Sequence, residues 1–190
     1  VCSEKNPAVI QKVAKGLYTN ARGYTQIKEI SGMEKVIATA APFFDRFVLE
    51  PSQLNKDRIR LEWKHKGTND YFNVSALSDG TLRFMCLATL LLQPDLPSII
   101  LLDEPELGLH PAAITFLAGL LRSASKSSQI IIATQSVTLV NQFEPEDIVV
   151  VERDNEQSTF RRLEKSGMSE WLDDYGLGDL WEKNIIGGRP

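Results

Sequence analysis

A chain of 190 residues, 43% hydrophobic and 24% charged, is long enough to bury a sizeable core and too apolar to be disordered. Its formal net charge of −4 excludes a global basic field for holding nucleic acid, although a partner domain can supply one. Two cysteines make no disulfide framework, no run reaches the roughly 18 apolar residues of a membrane span, and no signal peptide is visible, so a reduced, cytoplasmic protein is expected.

In chain order, Asn6–Leu17 carries Val9, Ile10, Val13 and Leu17 at helical spacing and predicts a helix. The stretch to Ala41, punctuated by Gly23 and Gly32, has no firm pattern. Pro42 to Leu49 is apolar and opens a strand. Arg58 to Lys64 alternates strictly, the mark of a half-buried strand, and Tyr71–Val74 returns as its hairpin partner across the turn residues 66–70. Arg58, Arg60, Lys64 and Lys66 cluster here. A solvated strand face explains them more simply than a nucleic-acid contact does.

Ser78-Asp79-Gly80-Thr81 then caps a largely buried helix running through Leu82, Phe84, Met85, Leu87, Ala88, Leu91 and Leu92, which Pro94 and Pro97 end. Cys86 lies inside this apolar run and is expected to be a packing residue. Ser98-Ile99-Ile100-Leu101-Leu102-Asp103 is a continuous apolar run, as in a strand covered on both faces of a parallel sheet. Pro111 opens a helix with Ile114, Phe116, Leu117, Leu120 and Leu121. Gln129–Thr134 repeats the buried-strand pattern, Ser136–Phe143 reads as helical, and Asp147–Glu152 reads as a third apolar strand. This rhythm predicts a parallel α/β sheet with right-handed crossovers. Thr159–Leu163 is expected to be an edge strand, and Trp171, Leu172, Leu177, Leu180 and Trp181 to lie in one or two short helices.

The chemistry concentrates at strand ends. Ile99-Ile100-Leu101-Leu102-Asp103-Glu104-Pro105 delivers two carboxylates to the carboxyl end of a buried strand, where open α/β sheets bind ligands. The first acid suits Mg²⁺ held through water, and the second suits a water attacking a γ-phosphate. A solvated acidic turn is the plainer alternative. One helix and one strand earlier, Leu77-Ser78-Asp79-Gly80-Thr81 offers a helix amino terminus with a hydroxyl and a glycine, which together suit an anion. Alone, such a loop is more often a simple cap. Leu107-Gly108-Leu109-His110-Pro111 follows the acids, and Ala133-Thr134-Gln135-Ser136 ends the next strand. There Gln135 can donate a hydrogen bond to phosphate or water. For His110, capping the following helix is at least as good an account as catalysis.

These four motifs, Asp79 to Phe84, Asp103 to Glu106, Gly108 to Pro111 and Ala133 to Ser136, resemble the RecF/SMC-like ATPases of the ATP-binding-cassette type, often labelled AAA. The overcoming-lysogenization-defect nucleases are relatives in that group. The tail from Trp171 to Gly188 is similar to it too, so the resemblance spans residues 42 to 190.

The resemblance implies one domain. Residues 1–57 would be its lead-in, 58–76 a hairpin, 77–153 the signature, Walker B, D-loop and switch region, and 154–190 an edge strand with short helices. It implies ATP and Mg²⁺ as ligands, with Asp103 on the metal through water, Glu104 as base and Gln135 as switch residue. It also implies Ser78, Asp79 and Gly80 serving ATP on an opposing copy, Gly108 and His110 in the D-loop, and heads that dimerise around ATP, with DNA or an effector protein as further partners in DNA repair or phage defence. The departure is the P-loop: no Gly-Lys pair occurs in the chain, so no Walker A motif is present. Together with the missing initiator methionine this predicts a truncated chain, inactive alone. The alternatives are a non-catalytic adaptor that keeps the head shape, or an unrelated hydrolase using Asp103, Glu104 and His110 as metal ligands.

Overall fold

The computed structural model describes residues 27–51 and 59–188. The helix expected at Asn6–Leu17 lies outside them, as does Arg58. The chain forms two compact units, one built from residues up to Leu101 together with Leu107–Ile131, the other from Leu102–Glu106 together with Ile132 onward.

The first unit opens with helix α1 (Ile27–Ala40), where no element was expected. Met33 and Ile37 stand four residues apart, are buried, and point the helix into the core. Gly32 costs the helix about 1 kcal/mol of propensity. An added Cβ there would meet nothing within 4 Å, so that glycine stands on the open side.

Strands β1 (Phe44–Pro51), β2 (Ile59–His65) and β3 (Tyr71–Asn73) form an antiparallel sheet in the order β1-β2-β3. Phe47 pairs with Trp63 and Trp63 with Phe72, and the Trp63 and Phe72 rings stack at 5.1 Å, as the alternation in β2 demands. Arg60 lies exposed on the other face, matching the solvated-strand reading.

Helix α2 (Asp79–Leu91) buries Leu82, Phe84, Met85 and Ala88; it packs against α1 and against α3 (Pro111–Ala124), which buries Ile114, Leu117 and Leu121. Phe116 and Leu120 belong to α3 as expected, but Phe116 is exposed. Cys86 is half-buried, and burial pushes its thiol up to about 11.

Strands β4 (Ile99–Asp103) and β5 (Gln129–Ala133) pair with each other. Gln129 N–H donates to Ser98 O at their starts and Glu104 N–H to Ala133 O at their ends, which makes the pairing parallel. The expectation of cover on both faces is not met. Ile100 is buried, but Ile99 is 55% exposed, Leu101 72% and Ile131 52%. A single β4–α3–β5 crossover supplies one helix, hence one cover.

In the second unit the segment 136–143 is shorter than a full helix: α4 (Val137–Val140) is one turn capped by Ser136 Oγ, which accepts from Leu139 N–H at 3.2 Å. The third apolar strand, β6 (Val149–Asp154), does not extend the parallel pair. It forms an antiparallel hairpin with β7 (Gln157–Arg162). The cause is local: Asn155 and Glu156 have φ of 46° and 67°, the two left-handed residues of a turn that closes strands whose ends are two residues apart. Two short helices, α5 (Ser169–Leu172) and α6 (Leu177–Glu182), follow as expected. Val140, Val150, Leu163, Leu177, Leu180 and Ile186 make the core of this unit. Its tail is clipped to the hairpin: Arg161 Nη2 donates to Ile186 O at 2.7 Å, and Gly188 N–H donates to Glu152 Oε1 at 3.1 Å. Among the described residues no helix is long and apolar enough to cross a membrane.

Candidate functional site

In the first unit, Leu77 is buried and pulls the chain in, leaving Ser78 exposed at the start of α2. Ser78 has extended backbone (φ −66°, ψ 155°), and its Oγ accepts from Thr81 N–H at 3.1 Å and lies 2.8 Å from Thr81 Oγ1. It is an N-cap, as the sequence suggested. The cap also holds the hydroxyl beside the positive end of a 13-residue helix, so cap and anion site are compatible. Asp79 is exposed in the first turn.

Gly80 sits against the backbone of Gly108, whose carbonyl an added Cβ would strike. Gly108 has φ 78°, a conformation open to glycine and strained for other residues. His110 caps α3, its Nδ1 accepting from Ala112 N–H at 3.2 Å. Ser78, Gly80, Thr81, Gly108, Leu109 and His110 line one recess of about 150 Å³. Two of the sequence motifs thus meet in one place.

The second unit holds the acids and the switch segment. Asp103 is exposed at the end of β4, and Glu104 follows with φ 43°, a left-handed conformation rare for a non-glycine residue. Its backbone N–H donates to Ala133 O at 2.9 Å. Two residues on, Glu106 is 8% exposed; its Oε1 accepts from Thr134 Oγ1, while its Oε2 is buried with no hydrogen-bond partner among the described residues. Thr134 Oγ1 in turn accepts from Ser136 N–H at 3.0 Å. Gln135 stands exposed between Thr134 and Ser136.

The loop carrying Glu104 and the loop carrying Gln135 are therefore joined by a backbone bond and a side-chain bond. Reading the sequence placed Glu106 and Thr134 inside two motif runs but gave neither a role. The signal was a carboxylate between Pro105 and Leu107, a poor place for a charge unless something receives it.

The three-ligand metal reading finds no support. Among the described residues no group of three or more His, Cys, Asp and Glu side chains is placed to hold a metal, and His110 Nδ1 is committed to its cap. Asp103 is exposed, and an exposed carboxylate is the kind of group Mg²⁺ takes while keeping most of its waters.

Comparison with known proteins gives the same lineage. Residues 21–141 match the family described as "AAA domain, putative AbiEii toxin, Type IV TA system". A protein of Methanosarcina acetivorans, described as a putative ABC transporter ATP-binding protein, is 40% identical over 77 residues, which cover 40% of this chain and 27% of that protein. The match thus spans about a quarter of that relative's length.

Solved structures share the fold. An SMC ATPase studied for ATP-driven dimerization and DNA-stimulated activation aligns with a TM-score of 0.56 at 21% identity, over 77% of this chain and 89% of its own. The Smc head domain of Pyrococcus furiosus, bound to the C-terminal domain of ScpA, aligns with a TM-score of 0.59 at 22% identity, over 79% of this chain and 38% of its own. The fold is that of an SMC-type ATPase head, a P-loop NTPase fold, here with a parallel strand pair and antiparallel hairpins. The chain belongs to the AAA-domain, AbiEii-like family of ABC/SMC-like ATPases.

Proposed function

We propose that this chain is the signature-and-Walker-B part of an ATPase head that closes on ATP with a second head and opens on hydrolysis. The observation that carries the proposal is the second unit's loop pair: Glu104, held in a left-handed conformation at the end of a parallel strand, is joined through Ala133 to the loop bearing Gln135. A residue kept in such a conformation is characteristic of sites where geometry matters more than local energy.

In this reading Glu104 orients the attacking water and takes its proton, and Gln135 donates a hydrogen bond to the γ-phosphate or that water. Asp103 holds Mg²⁺ through water; the ion neutralises charge on the β- and γ-phosphates when bound. Ser78, Asp79 and Gly80 offer the amino terminus of α2 to the ATP of an opposing head, and Gly108 and His110 form the adjoining D-loop wall of the same recess. The SMC ATPase studied for ATP-driven dimerization supports the paired-head arrangement, and its DNA-stimulated activation supports DNA or a DNA-directed effector as a partner; DNA repair or phage defence is the setting we propose. The 190 residues hold no Gly-Lys pair, so by themselves they bind ATP weakly and do not hydrolyse it.

The test is Glu104→Gln in the full-length protein. It keeps size and backbone conformation while removing the base. ATP binding is expected to persist, turnover to fall by at least about 100-fold, at the lower end of the general-base range, and an ATP-bound dimer to accumulate in size-exclusion chromatography. Undiminished turnover would remove Glu104 from its role.

A further inference from the structure

We infer that Glu106 is a positioning residue, which sets the switch loop through the hydroxyl of Thr134 and so aims Gln135 relative to Glu104. The inference rests on the ATPase reading above and adds to it a residue outside the motif's two acids.

The hydrogen-bond directions carry the argument. A threonine hydroxyl has one proton to give. Ser136 N–H can only donate, so Thr134 Oγ1 accepts from it at 3.0 Å, and the hydroxyl proton must go elsewhere. It goes to Glu106 Oε1. The chain of bonds therefore has one sense: Ser136 N–H to Thr134, and Thr134 to Glu106. Removing the carboxyl oxygen strands the hydroxyl proton in a partly buried place, and removing the hydroxyl strands both Ser136 N–H and Glu106. Gln135 lies between the two pinned residues, so its backbone cannot turn without breaking a member of the chain. On the other side, Glu104 N–H holds Ala133 O at 2.9 Å. Of these two ties between the loops, only the one through Glu106 depends on side chains.

The second carboxyl oxygen strengthens the case. Glu106 Oε2 is buried and has no partner among the described residues. A buried, unsatisfied carboxyl oxygen is costly, and an apolar residue would fill the same space without that cost. The one hydrogen bond that offsets this cost is the one its other oxygen accepts from Thr134.

The experiment uses the full-length protein, with ATP binding, steady-state turnover and thermal unfolding measured in parallel. Thr134→Val, nearly isosteric, removes the hydroxyl; Glu106→Ala removes the acceptor; Thr134→Ser and Glu106→Gln restore hydroxyl and acceptor oxygen respectively. The expected result is a kcat lowered about tenfold or more in Thr134→Val and Glu106→Ala, with ATP affinity within about twofold of the parent. Thr134→Ser and Glu106→Gln should recover to within about threefold, and the double variant Thr134→Val/Glu106→Ala should be no slower than its slower single, since both break one chain of bonds.

The inference is overturned if Thr134→Val turns over within twofold of the parent while Glu104→Gln is dead. It is equally overturned if binding and turnover fall together in proportion to lost folded protein, because the tie is then only structural. Should Glu106→Ala fail to fold, Thr134→Val and the two restoring variants decide alone. A parent protein that does not hydrolyse ATP at all would remove the ATPase reading as well, and that result differs from failure of the Glu106 role alone.

Discussion

Replacing Gly80 by alanine adds one methyl group at the start of α2. In most helices that change is favourable, by up to about 1 kcal/mol. Here the new Cβ would drive into the Gly108 carbonyl, which is backbone rather than a flexible side-chain tip. The obstruction cannot step aside cheaply, because Gly108 is held at φ 78° two residues before the cap of α3. Overpacking of this kind costs roughly 1–3 kcal/mol. A backbone obstruction this close belongs in the upper part of that range, about 2–3 kcal/mol; less about 1 kcal/mol of propensity gain, the net destabilisation is about 1–2 kcal/mol, or about 2–8 °C in Tm at this chain length.

Gly119 and Gly32 supply the matched controls, since both are helical and an added Cβ at either would meet nothing within 4 Å. Gly119→Ala and Gly32→Ala should raise Tm by a few degrees, from about 0.5–1 kcal/mol each. The assay is thermal unfolding followed by far-UV circular dichroism on the parent and the three variants. A Gly80→Ala protein as stable as its parent would show that the two loops do not abut, and the shared recess would lose its basis.

Other expectations follow from single groups. In a Cys2→Ser background, Cys86 should react with a thiol reagent about 100-fold more slowly at pH 8 than an ordinary thiol, because its pKa is displaced from 9.0 to about 11; the difference should vanish in denaturant. Glu34 accepts from Phe47 N–H at 2.9 Å, yet burial raises its pKa above 4.5. The folded state therefore resists its ionisation, and the stability this group confers at low pH is lost as pH rises from 4.5 through the raised value. Glu34→Gln, which keeps the acceptor, should stabilise the protein at pH 7 and lose that advantage below pH 4.5, read from denaturant midpoints at each pH. His110→Ala should cost about 1 kcal/mol through the lost cap of α3, and His110→Asn should restore it in the same denaturation series.

The elements that could be read from sequence were those whose pattern is set by one nearby cover. Alternation in Arg58–Lys64 gave β2, and the apolar spacing after Ser78 gave α2, because each buries a single face. Helix α1 was hidden by Ser31-Gly32, which reads as a break. Met33 and Ile37 override it by burying completely, and a tertiary gain of that sort cannot be seen along a chain. The Asp147–Glu152 run looked like a third strand of a parallel sheet, yet two left-handed residues, Asn155 and Glu156, turn it back onto β7. Their local geometry decided the pairing before the sheet could. At the candidate site, Asp103, Glu104 and Ser78 stand out in the sequence because motif chemistry lies in short contiguous runs. The bond between Glu106 and Thr134 does not, since its ends are 28 residues apart and a bond at that distance leaves no periodic trace.

The parallel strand pair carries one last implication. Ile99, Leu101 and Ile131 present three branched side chains to solvent from neighbouring strands, more greasy ribbon than a soluble sheet ordinarily tolerates. Preparations of this chain should therefore brighten hydrophobic dyes and stick to one another as concentration rises, and any enzymatic reading taken from them must first be separated from clumping. Charged replacements at Leu101, the barest of the three, offer the simplest way to keep such material in solution.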